Sequence, residues 1–123
     1  MDIYKNNTET KVLRAYLEAA LWSSVDDVGE PLDAEFTIDD IHEDSLIMAM
    51  NDIKKFLKMV DIEKLGLYDF MVGHDIWLTR NGHGAGFWDR GYSKETENIL
   101  MNAIEEFPEI ILYIDDNQKL YFM

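Results

Sequence analysis

Cysteine is absent from this chain of 123 residues. Disulfide staples and thiolate metal sites are therefore excluded, and the composition suits a reducing cytosol. Basic residues are scarce: 11 Lys and Arg stand against 25 Asp and Glu, a formal net charge of −14. A surface of that sign repels nucleic-acid phosphates and anionic membranes, so direct binding to either is not expected. No apolar run approaches the roughly 18 residues needed to span a bilayer. The first residues, Met1-Asp2-Ile3-Tyr4-Lys5-Asn6, show no basic region ahead of an apolar stretch, so no signal peptide is expected and a cytoplasmic location is. Proline is limited to Pro31 and Pro108. There is no internal repeat or low-complexity linker, and the length predicts one domain over residues 1–123.

What is present points to a packed core. The apolar fraction is 47%, with three Trp, six Tyr and six Phe, which argues against disorder. The charge is unevenly spread. No Lys or Arg lies between Arg14 and Lys54, an interval with 11 acids: Glu18, Asp26, Asp27, Glu30, Asp33, Glu35, Asp39, Asp40, Glu43, Asp44 and Asp52. A second base-free interval, from Glu95 to Gln118, holds seven more.

Hydrophobic spacing predicts a central helix from Thr8 or Thr10 to about Ser23, with Val12, Tyr16, Ala19 and Trp22 on one side. A long acidic connection follows over 24–43, broken by Gly29 and Pro31 and expected to be pinned to the core by Leu32, Phe36, Ile38 and Ile41. A second helix is expected from Asp44 or Ser45 to Val60, with a stripe of Leu46, Met50, Ile53 and Leu57. A short turn should end at Gly66. Ser93 is an N-cap for a third helix that Pro108 closes. Ile110–Ile114 and Lys119–Phe122 flank Asp115-Asp116-Asn117-Gln118 as a hairpin. Residues 1–7 are expected to fray.

The most distinctive stretch runs Gly73-His-Asp-Ile-Trp-Leu-Thr-Arg-Asn-Gly-His-Gly-Ala-Gly-Phe-Trp-Asp-Arg-Gly91, with five of the seven glycines and two of the three tryptophans. Ile76–Arg80 and Phe87-Trp88 are β-prone and Asn81-Gly82 is a type I′ turn signal, which predicts another hairpin. A two-residue loop would set Trp77 opposite Gly86, and a four-residue loop opposite Trp88. The predicted fold class is α+β: about three helices packed on an antiparallel sheet of about four strands built from two hairpins.

This stretch resembles the core motif of a small protein family found in bacteriophages and mobile elements. Ala20-Leu21-Trp22-Ser23-Ser24, Glu30-Pro31-Leu32-Asp33, Ile38-Asp39-Asp40-Ile41 and Leu112-Tyr113-Ile114-Asp115-Asp116 extend the resemblance over most of the chain. Ile76 stands where that motif has Phe. The resemblance implies a phage-type accessory protein in the cytoplasm of an infected bacterium, and it carries over no catalytic residue.

The same stretch offers residues for several chemistries. His74, Asp75, His83 and Asp89 are metal-ligand types, but His74 and His83 would sit roughly 15–25 Å apart on a straight hairpin at about 3.3 Å per residue. No metal or cofactor is expected. The glycines 82–86 lack a phosphate-loop pattern and its Lys. His74, Asp75, Arg80 and His83 form a possible acid–base set for a small hydrolase or transferase, without an evident nucleophile. The bland alternative makes Asp75–Arg90 and Asp89–Arg80 cross-strand ion pairs. Trp77 and Trp88 could be recognition residues or core. Catalysis is not the favoured expectation. The favoured one is host-directed binding, with Asp26, Asp27, Glu30, Asp33, Glu35, Asp39, Asp40, Glu43, Asp44, Trp77 and Trp88 at the surface. The partner would be a host protein with a basic groove, and the carboxylates would mimic nucleic-acid phosphates. A homodimeric interaction module is the other alternative.

Overall fold

Helix α1, Thr8–Ser23, starts where the Asn7 side chain accepts from the Thr10 backbone N–H and Thr10 answers to the Asn7 N–H. This reciprocal cap satisfies two of the helix's orphan donors. Its residues Val12, Leu13, Tyr16, Leu17 and Ala20 are buried, so α1 is central, as the sequence predicts. In this computed structural model, which describes Met1 to Met123, three further helices follow: α2 (Glu43–Met59) and α3 (Asp69–Arg80), which pack on α1, and α4 (Lys94–Ile104), which packs against α2 and α3. A hairpin of β1 (Leu112–Ile114) and β2 (Leu120–Phe122) closes the chain. No helix is long and apolar enough to cross a membrane.

The predicted α+β class is therefore corrected. The protein is helix-dominated, with four helices and one two-stranded sheet. Only the second expected hairpin forms, with Leu112 opposite Phe122 and Ile114 opposite Leu120. The stretch expected to be the first hairpin is the second half of α3, a loop, and a 3-10 turn at Phe87–Asp89, so neither register of that hairpin exists. Two physical causes displace it. Val72, Ile76 and Trp77 are all buried at helical spacing, which gives α3 a core-facing stripe that a window beginning at Gly73 cuts short. Asn81-Gly82 also ends a helix instead of turning a hairpin. Gly82 has φ +65°, its N–H bonds to the Thr79 carbonyl and the His83 N–H to the Leu78 carbonyl. That is the Schellman closure, which uses the same left-handed glycine as a type I′ turn.

Helices α1 and α3 make the largest helix–helix contact in the molecule. They run side by side in the same direction: Gly73 meets Ala15 and Tyr16, His74 meets Glu18 and Trp22, and Trp77 meets Ser23. A methyl group on residue 73 would lie 2.6 Å from the Ala15 Cβ and 2.9 Å from the Tyr16 nitrogen, and nearer still to the Val12 carbonyl oxygen. Only hydrogen fits there, and it brings the two backbones together. The 24–42 connection is pinned by buried Leu32, Phe36, Ile38 and Ile41, as expected. The N-terminus does not fray: Ile3 is buried, Arg14 donates to the carbonyls of Ile3 and Lys5, and Tyr4 donates to Asp39.

Candidate functional site

The glycine-rich stretch is chiefly architecture. Asp75 is fully buried, and Arg90 grips it with two bonds, Nε to Oδ2 at 2.8 Å and Nη2 to Oδ1 at 2.6 Å. A paired, bidentate guanidinium is what a buried carboxylate requires. The bond to Asp75 raises the Arg90 pKa further, and burial with the nearby Asp75 charge raises that of Tyr92. The Asp75–Arg90 pairing of the sequence reading is present, although it joins a helix to a loop and is not cross-strand. The companion Asp89–Arg80 pairing is absent. Arg80 instead turns inward, donating to the Pro108 carbonyl at 2.7 and 2.9 Å, to Asp52 at 2.9 Å and to the Tyr16 hydroxyl at 3.0 Å. Burial raises the Tyr16 pKa far above its ordinary value.

These assignments scatter the proposed acid–base set. Asp75 and Arg80 are each committed to a structural ion pair. His74 is half-buried at the edge of the α1–α3 contact, its Nε2 3.9 Å from Glu18 and its ring edge-on to Trp22. His83 sits beyond the helix end, in a groove lined by none of the other three residues. The four groups share no cleft. No cluster of His and carboxylates has the arrangement of a metal centre. Trp77, proposed as a recognition residue, is only 2% exposed: its indole N–H donates to Ser23 Oγ and its ring packs on Tyr16 and Phe122. It is a core residue, with only a sliver of its ring reaching the surface. Trp88, at 40% exposure, can contact a partner.

The acidic segment is the more open surface. Asp27, Glu30, Asp33, Glu35, Asp39, Glu43 and Asp44 are exposed, and Asp26 and Asp40 are half-buried. None of the nine pairs with a Lys or Arg. Some serve the local backbone. Asp26 Oδ1 accepts from the N–H groups of Val28 and Glu30, and Asp40 caps Thr37. Glu43 holds the N-terminal ammonium. Asp27, Glu30, Asp33 and Glu35 have no bond within the chain that would occupy them.

A groove of about 550 Å³ links this segment to the glycine-rich stretch. It is lined by Ser23–Asp27, Glu109–Ile114, Asn81 and His83, with the almost fully buried Trp77 and Leu32 beneath. Its size is that of a small-ligand or peptide site. It carries Asp26, Asp27 and Glu109 and no Lys or Arg. Sequence reasoning named Asp26 and Asp27 but missed Glu109 and Asn81. The signal for Asn81 lay in its position: as the residue that ends α3, it turns its side chain to accept from the Ile110 N–H at 2.9 Å. Comparison with known proteins finds no matching family model, no similar curated protein and no similar solved structure.

Proposed function

We propose that this protein is a non-catalytic, phage-type accessory protein that binds a basic groove on a host nucleic-acid-binding protein, its carboxylates occupying the places of phosphates. One observation carries the reading. The segment 26–44 holds nine carboxylates, seven exposed and two half-buried, none is paired with a Lys or Arg, and buried Leu32, Phe36, Ile38 and Ile41 fix the backbone that bears them. A rigid array of like charges gains little for the isolated fold, whereas a partner of opposite sign gains both association rate and register from it. The dispersal of His74, Asp75, Arg80 and His83 supports a role without catalysis.

The test compares the wild type with a variant bearing Asp27→Asn, Glu30→Gln, Asp33→Asn and Glu35→Gln. Each is immobilised and exposed to bacterial lysate at low salt. The wild type should retain a nucleic-acid-binding protein that duplex DNA displaces and high salt releases, and the variant should lose it. Retention that ignores both DNA and the amide substitutions would overturn the proposal.

A further inference from the structure

The free edge of β1 forms one wall of the groove. Ile111 and Met123 exchange both backbone bonds, and the Asp115 N–H bonds to the Lys119 carbonyl. Antiparallel pairing alternates, so with the register Tyr113 opposite Tyr121 these odd-numbered residues face β2. The even-numbered residues direct their N–H and C=O the other way, into the groove. The Ile110 N–H there is taken by Asn81. Leu112 and Ile114 have no backbone partner on that side. The outer edge of β2 is used differently: the Leu120 carbonyl accepts from His42, and the Phe122 N–H donates to Ser45. The molecule thus covers one edge of its sheet and leaves the other exposed in a cavity with an apolar base.

We propose that this groove receives an extended segment of a basic partner protein, which adds to β1 as a third strand. The inference rests on the binding role proposed above and specifies where the contact is made. Strand addition gives main-chain bonds at Leu112 and Ile114, and the pockets beside the edge select side chains. Trp77, Leu32 and Ile110 supply an apolar base, and Asp26, Asp27 and Glu109 form a rim without a compensating base. An occupant with apolar residues facing down and Lys or Arg facing the rim fits both. A second copy of this chain does not. β1 is flanked by Glu109, Asp115 and Asp116 with no base between them, so self-pairing would oppose like charges. Asn81 fixes the register, because its side chain already takes the place of a partner strand at Ile110.

The experiment uses the full chain labelled with nitrogen-15 and the peptide acetyl-Lys-Val-Lys-Val-Lys-Val-amide. Binding is followed by calorimetry, and contact by amide hydrogen exchange. At saturation, exchange at Leu112 and Ile114 should slow by about tenfold or more, while Tyr113, already bonded to Tyr121, should not change. The same peptide N-methylated at every residue, and the peptide with Glu in place of Lys, should each bind at least about tenfold more weakly. Asp27→Asn with Glu109→Gln should weaken the unmodified peptide by about the same factor. Salt-sensitive binding that leaves both amides unprotected would overturn strand addition while the acidic-surface reading stands. A failure of the peptide to bind at low salt would overturn the basic occupant of this groove, whereas the lysate experiment decides the acidic-surface reading separately. Protection of Leu112 and Ile114 that needs only higher protein concentration would assign the edge to a second copy and overturn the basic partner.

Discussion

Tyr16 illustrates how a polar atom is used deep in this core. Its ring packs edge-on against Trp77 at 5.4 Å, and its hydroxyl accepts from Arg80, which also holds Asp52 and the Pro108 carbonyl. Four chain segments meet at that one guanidinium. Burial is the main cause that raises the Tyr16 pKa above 10.0, and it outweighs the attraction of Arg80. The sign of the linkage follows. Above about pH 10 the unfolded chain releases the phenolic proton and the native state keeps it, so the native state binds more protons and stability falls as pH rises. This contribution is fully present below pH 10 and is lost above it, at up to about 1.4 kcal/mol per pH unit. Tyr16→Phe should flatten the decline in urea midpoint between about pH 9 and pH 11. A residual slope should remain from Tyr92, whose pKa is also raised. An unchanged slope in the Phe variant would mean that the phenol is not protected as its burial implies.

At the scale of elements, the α1–α3 contact turns on Gly73. In the hairpin predicted from sequence this residue would precede the strand and an added methyl would be harmless. In the helix pair the methyl meets backbone atoms of Val12 and Tyr16, which cannot move aside as a flexible side chain can. Ala gains about 1 kcal/mol over Gly in helix propensity, but overpacking of this kind costs about 1–3 kcal/mol and occasionally more. Contact with backbone atoms puts the cost at the upper end of that range, so Gly73→Ala should show a net loss of up to about 2 kcal/mol in urea unfolding. A neutral or stabilised variant would place the helices farther apart than described. Three helices and the last hairpin were legible from their apolar spacing, but of the helix caps only Ser93 of α4 was read correctly; Asn7, not Thr8 or Thr10, caps α1, and His42 caps α2. Helix α3 was not legible. Ile76, Trp77 and Thr79 favour strands in isolation, and their burial against α1 overrides that preference. Asn81-Gly82 is ambiguous in principle, since a left-handed glycine closes both a helix and a hairpin. The groove was only half legible. Asp26 and Asp27 announce themselves by charge, whereas the unpaired backbone of Leu112 and Ile114 is a property of register that no side chain reports.

For the whole molecule the governing quantity is a net charge of −14. Self-repulsion of that kind destabilises the compact state and is relieved by counter-ions or a basic partner. Asp27, Glu30, Asp33 and Glu35 repel their neighbours and receive no bond within the chain. Each is worth only a few tenths of a kcal/mol because it is solvated. Converting the four to amides should stabilise the isolated protein by about 1 kcal/mol in sum at low ionic strength, or about 4 °C in Tm. The gain should shrink in about 0.5 M salt, where screening already removes the repulsion. The same variant is the one expected to lose its partner. Stability and binding should thus move in opposite directions, as they do where a surface is held under strain for function. Thermal melts at both salt concentrations decide the point. A higher Tm at low salt, together with lost binding, ties the carboxylates to a partner. A lower Tm would show that they act within the fold, and a binding role for this surface would then lose its physical motive.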